Sequence, residues 1–192
     1  SDLLIAAGRV PNIEQLALER AAVEYSEFGV TVDRKLRTTN RSVYAIGDIV
    51  EGSRFTHTAS YHAGIVLKKI LLGLPSKLRT DHIPQVTYTD PEIASVGMNF
   101  EDAVKRFGKK VERSFVNLKT NDRAITDGKT EGFVEVILLG RKVIGCSITS
   151  KNAGELISFW AFVIAKNIKI SSINAMIPPY PTLGELNKRV VS

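Results

Sequence analysis

The stretch GFVEVILLGRKVIGCSIT, residues 132–149, predicts a β-hairpin, because two runs rich in Val and Ile flank a short glycine-containing turn at 140–142. The residues that follow predict a helix, since apolar side chains recur there at i, i+3, i+4, i+7, i+8 and i+11. These side chains belong to Ala153, Leu156, Ile157, Trp160, Ala161 and Ile164.

More strands and a helix are predicted ahead of the hairpin. QVTYTDPEIASVG, residues 85–97, indicates two short strands, and KVERSFVNL, residues 110–118, indicates another. Between them Asn99 is a good N-cap for a short helix, which Gly108 ends. Residues 84–192 are therefore expected to form an α+β domain, with an antiparallel sheet flanked by helices.

Residues 1–83 have a different character. They predict short strands, including one over 1–7 and one at 43–46, and a helix with an apolar stripe over 63–74. Four short strands and one helix do not easily close a core, so we expect the trailing part of a larger α/β domain. A chain that opens inside a strand suggests a piece of a longer protein, and a tag remnant or a processed end is the alternative. The polar, proline-containing segment 75–84 marks the domain boundary.

Composition argues against several function classes. Lys and Arg number 26 against 20 Asp and Glu, a net charge of +6, but the basic residues are scattered and aromatics make up only 7%. A solvated surface explains this charge better than a nucleic-acid footprint. No apolar run approaches the ~18 residues of a membrane span. The single cysteine, Cys146, fits a reducing compartment, so we expect a cytoplasmic protein.

Metal chemistry is not predicted either. The three histidines lack ligand spacing, because His57 and His62 are five residues apart and no cysteine or carboxylate completes a set. Cys146 lies between apolar neighbours on a predicted strand, which favours a buried, inert thiol.

The strongest local signal for a ligand is SVYAIGDI, residues 42–49. An apolar strand that ends in Gly47 and Asp48 places a carboxylate at the carboxyl end of a sheet, where ligands bind in open α/β folds. The carboxylate can accept hydrogen bonds from sugar hydroxyls, and Gly47 allows close approach to the backbone. A plain turn aspartate is the alternative.

In the context of the whole chain, these residues resemble the flavoprotein pyridine nucleotide–disulfide oxidoreductases, which include dihydrolipoamide dehydrogenase and the mercuric reductases. DLLIAAGRVPN, RTTNRSVYAIGDI and FTHTASYHAGIVLKKILLG are similar to the end of their nucleotide-binding domains. VTYTDPEIASVGM, NDRAITDGKTEGFVEVI, VIGCSITSKNAGELI and PPYPTLGELNKR are similar to their interface domain, in the same order. YTDPEIA, NDRA and PYPT are most similar to the mercuric-reductase-like branch.

This resemblance implies roles for particular residues. Asp48, beside Gly47, would bond the FAD ribityl chain, and Thr56 and His57 would approach the flavin ring. Arg9 would lie near the join of the two nucleotide-binding domains. The family's first FAD loop, its redox-active cysteine pair and its nicotinamide loop have no counterpart among residues 1–192. The fragment alone is therefore expected to be inactive and not to hold FAD or NAD(P)H.

The resemblance also locates a catalytic position, and the sequence departs from the family there. Disulfide reductases of this family carry a His just before Pro-Thr, with a Glu five residues later, whereas the matching residues here are Tyr180 and Glu185. The mercuric reductases also carry Tyr at this place, and they carry a C-terminal cysteine pair that is absent here. Glu185 has a second interpretation, because TLGE matches a capping box with Thr182 as N-cap.

The sequence therefore predicts the C-terminal part of an FAD-dependent NAD(P)H oxidoreductase, with residues 1–83 ending the FAD/NAD-binding domain. Residues 84–192 would form the dimerisation domain of a homodimer. The electron acceptor would be a disulfide, a metal ion or another small molecule. Two alternatives stay open at this point: a stand-alone dimerisation or binding module without catalysis, and a basic nucleic-acid-binding domain.

Overall fold

The computed structural model describes residues 2–192, and the chain divides into two compact units that meet in sequence at Arg79 and Thr80. In the first unit, strand β1 (Tyr25–Ser26) pairs antiparallel with β2 (Gly29–Val30). A 3-10 turn covers Gly47–Ile49, and helix α1 covers Thr56–Leu72. Helix α1 ends before Gly73, which has the left-handed conformation.

Two small apolar clusters hold the first unit. One lies around the β1–β2 hairpin, and the other packs under α1. The first contains Ile13, Val23, Val30, Ala45 and Val50, and the second contains Leu36, Ile65 and Val66.

The predictions of two strands in the first unit are wrong. Residues 2–10 form no regular structure, and Leu3 and Leu4 are more than four-fifths exposed, at 86% and 88%. The Ser1 end of that prediction lies outside the described residues. Residues 43–46 are likewise no strand, and only an isolated bridge joins Tyr44 to Arg37. A strand needs a ladder partner, and the part of the chain that the structure describes supplies none to either segment.

The second unit is an α+β domain, as predicted. Its five strands form one antiparallel sheet with the spatial order β3-β4-β7-β6-β5, and the predicted hairpin is the β6–β7 pair. The strands are β3 (Gln85–Thr87), β4 (Glu92–Gly97), β5 (Val111–Asn117), β6 (Phe133–Leu139) and β7 (Lys142–Ser150). The helices are α2 (Phe100–Phe107), α3 (Asp122–Thr126), α4 (Ala153–Lys166), α5 (Ile170–Asn174) and α6 (Glu185–Arg189).

The core of the second unit lies between the sheet and α4, which packs across β4 and β7. Trp160 on α4 is fully buried there, and its indole N–H donates a hydrogen bond to Oδ1 of the buried Asn187 over 2.8 Å. The chain's own sheet and α6 cover the Trp160 side of this helix. The outward side of α4 presents Phe162 instead, which is 55% exposed.

No helix between residues 2 and 192 combines the length and the apolar character that a membrane span requires.

Candidate cofactor and active sites

The turn at Gly47 is fixed by a close approach to helix α1. Gly47 is buried with φ at +73°, and a Cβ added there would lie 3.3 Å from the Cβ of Ala59. Its backbone N–H donates a hydrogen bond to Nδ1 of His62 over 3.2 Å. Both the left-handed conformation and the close contact with the helix therefore favour a glycine here.

His62 is the residue that sequence reasoning missed in this unit. It lies on α1 and is only 4% exposed, and this burial lowers the pKa of its imidazole. Because Nδ1 accepts the Gly47 N–H, the proton of the neutral ring lies on Nε2. The spacing of the histidines gave no signal of this role, since the partner is a backbone amide 15 residues away.

The predicted flavin residues lie in the Gly47 turn and at the beginning of α1. Asp48 is exposed in the 3-10 turn, Thr56 is the first residue of α1, and the exposed His57 ring stacks on Phe55 at 5.2 Å between centroids. The N-cap residue is Phe55, whose side chain makes no capping hydrogen bond.

Two orphaned polar atoms lie in the same place. Oγ1 of the buried Thr58 and Nε of Arg54 have no hydrogen-bond partner among the described residues. A buried hydroxyl without a partner is costly, so a polar group at this end of the helix would satisfy it. The residues present therefore fit a polar ligand.

Arg9 reaches this region only through its backbone. Its carbonyl oxygen accepts a hydrogen bond from Nη1 of Arg54, and Nη2 of Arg54 donates to the carbonyl of Phe28 over 3.1 Å. The structure thus ties the Arg9 segment to the residues that lead into α1. The role of its guanidinium stays a prediction.

Tyr180 lies on the surface of the second unit with its hydroxyl engaged. The side chain is 71% exposed, and the phenol donates a hydrogen bond to Oδ2 of Asp122 over 2.9 Å. This bond and the charge of Asp122 raise the pKa of the Tyr180 phenol. The peptide bond between Tyr180 and Pro181 is cis.

Glu185 makes half of the predicted capping box. Its Oε2 accepts a hydrogen bond from the backbone N–H of Thr182 over 3.1 Å. The other half is wrong, because the Thr182 hydroxyl donates to the carbonyl of Pro179 and α6 begins only after Gly184. A catalytic role for Glu185 stays a prediction.

Neither Cys146 nor a cluster of metal-ligating side chains adds a candidate site among the described residues. Cys146 is buried as predicted, and burial raises the pKa of its thiol well above the usual range. Within residues 2–192, no three His, Cys, Asp or Glu side chains come together as a metal-ligand set.

Comparison with known proteins identifies the family. Residues 83–190 match the dimerisation domain of the pyridine nucleotide-disulphide oxidoreductases. The chain belongs to this family. Residues 1–63, which include the Gly47 turn, match a second pyridine nucleotide-disulphide oxidoreductase domain.

Curated members of the family align along nearly the whole chain. The mercuric reductase of Bacillus cereus is 32% identical over 95% of the chain and 29% of that protein. The dihydrolipoyl dehydrogenase of Bacillus subtilis is 34% identical over 96% of the chain and 39% of that protein. The chain therefore spans about a third of the length of these relatives.

Solved structures agree with this assignment. LpdA from Mycobacterium tuberculosis superposes with a TM-score of 0.89 and 27% identity, over 98% of this chain and 41% of that one. The HOCl-induced flavoprotein disulfide reductase RclA from Escherichia coli gives 0.85 and 25%, over 98% and 44%. The predicted fold class and the predicted family are both confirmed.

Proposed function

We propose that the chain is the C-terminal part of an FAD-dependent oxidoreductase that passes electrons from NADH or NADPH through flavin to a small acceptor. The order of the two family matches carries this proposal, since the Gly47 turn lies in the first and Tyr180 in the second. In this proposal residues 1–83 end the FAD/NAD-binding domain and residues 84–192 form the homodimer interface. A cytoplasmic location is part of the same proposal.

The beginning of α1 supports a flavin site. The Asp48 carboxylate is exposed in the turn held by His62, where it can accept hydrogen bonds from the hydroxyls of a ribityl chain. Thr56, His57 and the unpartnered Thr58 hydroxyl would meet the polar edge of the ring system. FAD would supply the two-electron chemistry, and the protein residues bind and orient it.

Tyr180 points to the kind of acceptor. A phenol with a raised pKa is protonated at neutral pH, so it is poorly suited as a general base, which works best with a pKa near the working pH. We infer that the enzyme reduces ordinary disulfides weakly. It would favour acceptors that need no proton shuttle, such as metal ions, quinones or oxygen.

The flavin assignment is tested by removing the Asp48 carboxylate in the protein expressed from its complete reading frame. Asp48→Ala is expected to purify with less flavin than the wild type, measured from the visible absorbance per protein. The matched control is Glu51→Ala, another exposed acid two residues after the turn. Equal flavin content in all three proteins would remove Asp48 from the site.

The reading frame itself separates this proposal from a stand-alone dimerisation module. Two nucleotide-binding loops and a cysteine pair encoded upstream of Ser1 support the oxidoreductase. An initiation codon directly before Ser1 supports the module.

A further inference from the structure

The segment that carries Tyr180 is tied to the segment that precedes α3. The buried Asn121 uses its side chain twice: Oδ1 accepts from the Ala124 N–H over 3.0 Å, and Nδ2 donates to the Thr182 carbonyl over 3.1 Å. Arg189 on α6 donates to the carbonyl of Thr120 over 2.6 Å. These bonds hold residues 120–122 beside residues 180–182.

Asp122 lies at the centre of this arrangement, as the first residue of α3. Its Oδ2 is 2.9 Å from the Tyr180 hydroxyl oxygen, and an ionised carboxylate can only accept in such a pair. The phenolic proton therefore points at Asp122. The lone pairs of the phenol oxygen are left facing away from Asp122, on an exposed ring.

We propose that Asp122 is the positioning residue of Tyr180. Its carboxylate accepts the hydrogen bond of the phenolic proton and so fixes the direction of the ring. The phenol oxygen then faces an acceptor with its lone pairs. The catalytic consequence of this inference rests on the proposed function. The arrangement of the two side chains rests on the hydrogen bond alone. Tyr180 then acts toward an acceptor as an oxygen ligand or hydrogen-bond acceptor, and not as a proton donor.

The charges around the phenol support this arrangement. Asp122 and Glu185 both raise the pKa of Tyr180, Asp122 by its hydrogen bond and its charge and Glu185 by its charge. Arg123, which follows Asp122 in the chain, is paired with Asp127 at 2.9 Å. Arg189 is directed to the Thr120 carbonyl. The neighbouring acids therefore favour the protonated phenol.

The test is an alkaline titration of Tyr180 in this 192-residue chain, followed by tyrosinate absorbance. The chain has five tyrosines, so subtraction of a Tyr180→Phe titration isolates the one signal. The wild-type phenol is expected to titrate above the ordinary value of about 10. In Asp122→Asn the titration moves down toward that value, because the negative charge is gone.

Asp102→Asn is the matched control, since Asp102 is also an acid in the first turn of a helix of the same unit. It should leave the Tyr180 titration unchanged, whereas a general effect of lost charge would move it. If the unit unfolds in alkali, the ¹³Cζ resonance of Tyr180 at neutral pH gives the second readout, and only Asp122→Asn should shift it.

A wild-type phenol that titrates at about 10, or one that titrates alike in wild type and Asp122→Asn, overturns the proposal. Neither measurement needs flavin or activity, so its failure is distinguishable from failure of the proposed function.

Discussion

The backbone N–H of Gly47 donates a hydrogen bond to Nδ1 of His62 over 3.2 Å, so the turn that carries Asp48 is fastened to helix α1. The same turn lies in close contact with Ala59 of that helix. Changes at Gly47 or His62 should therefore disturb both the Asp48 turn and its packing on α1.

Gly47→Ala should destabilise the chain by more than Gly73→Ala. Both glycines have positive φ, at +73° and +65°, so each substitution incurs the left-handed cost of ~1–2 kcal/mol. An added Cβ at Gly47 would also lie 3.3 Å from the Cβ of Ala59, whereas nothing lies within 4 Å of one at Gly73. Denaturant unfolding of the two variants measures the difference. Equal losses would show that the approach to α1 carries no energy.

Acid should weaken the first unit through His62. Its folded pKa is lowered by burial, so between that pKa and the unfolded value of about 6.5 the unfolded chain binds more protons. The free energy of unfolding therefore falls as the pH drops below about 6.5 and is unaffected by this group above it. His62→Asn retains an acceptor for the Gly47 N–H but cannot titrate, so its pH profile should be flatter. Parallel profiles for wild type and variant would contradict the assignment.

The prediction of a homodimer concerns the outward side of α4. Light scattering should give about twice the 21.1 kDa mass of the chain. An obligate interface buries upwards of ~2,000 Å², so the dimer should persist at micromolar concentration. Phe162→Asp places a charge on that side and should shift the protein toward monomer. Leu67→Asp, at a similarly exposed leucine of the first unit, is the control and should leave the mass unchanged. A clean monomer of the wild type at micromolar concentration counts against the interface.

Tyr180 should set the choice of acceptor in the protein expressed from its complete reading frame. Tyr180→His introduces a group with a pKa near 6.5 and should increase turnover with lipoamide or glutathione disulfide, on the order of ten-fold. Tyr180→Phe removes the phenol oxygen and should lower turnover with acceptors that contact it, metal ions first. If the first variant leaves disulfide reduction unchanged and the second leaves every acceptor unchanged, Tyr180 is an interface aromatic without a chemical role.

Much of the second unit was predictable, because its signals are local. The turn at Gly140, the Asn99 cap and the apolar stripe through Trp160 each fix an element from within a few residues. The segments at 1–7 and 43–46 failed for the opposite reason: their apolar composition suits a strand, but a strand forms only with a ladder partner, which sequence periodicity does not reveal.

The site residues divide in the same way. Gly47, Asp48 and Tyr180 belong to short motifs that the sequence and its family resemblance single out, and their roles in a site stay predictions. His62 and Asp122 were missed because each acts through a partner distant in sequence, 15 residues away for His62 and 58 for Asp122. Neither spacing is that of a helix or a strand, so only the folded chain brings these pairs together.

We expect this chain to complete a flavoprotein that accepts electrons from a nicotinamide nucleotide. The most direct measurement is an anaerobic titration of the protein, purified from its complete reading frame, with NADH and with NADPH, followed by flavin absorbance. The expected result is a yellow protein whose flavin band bleaches with at least one of the two nucleotides. A colourless protein, or a bound flavin that neither nucleotide reduces, would contradict it.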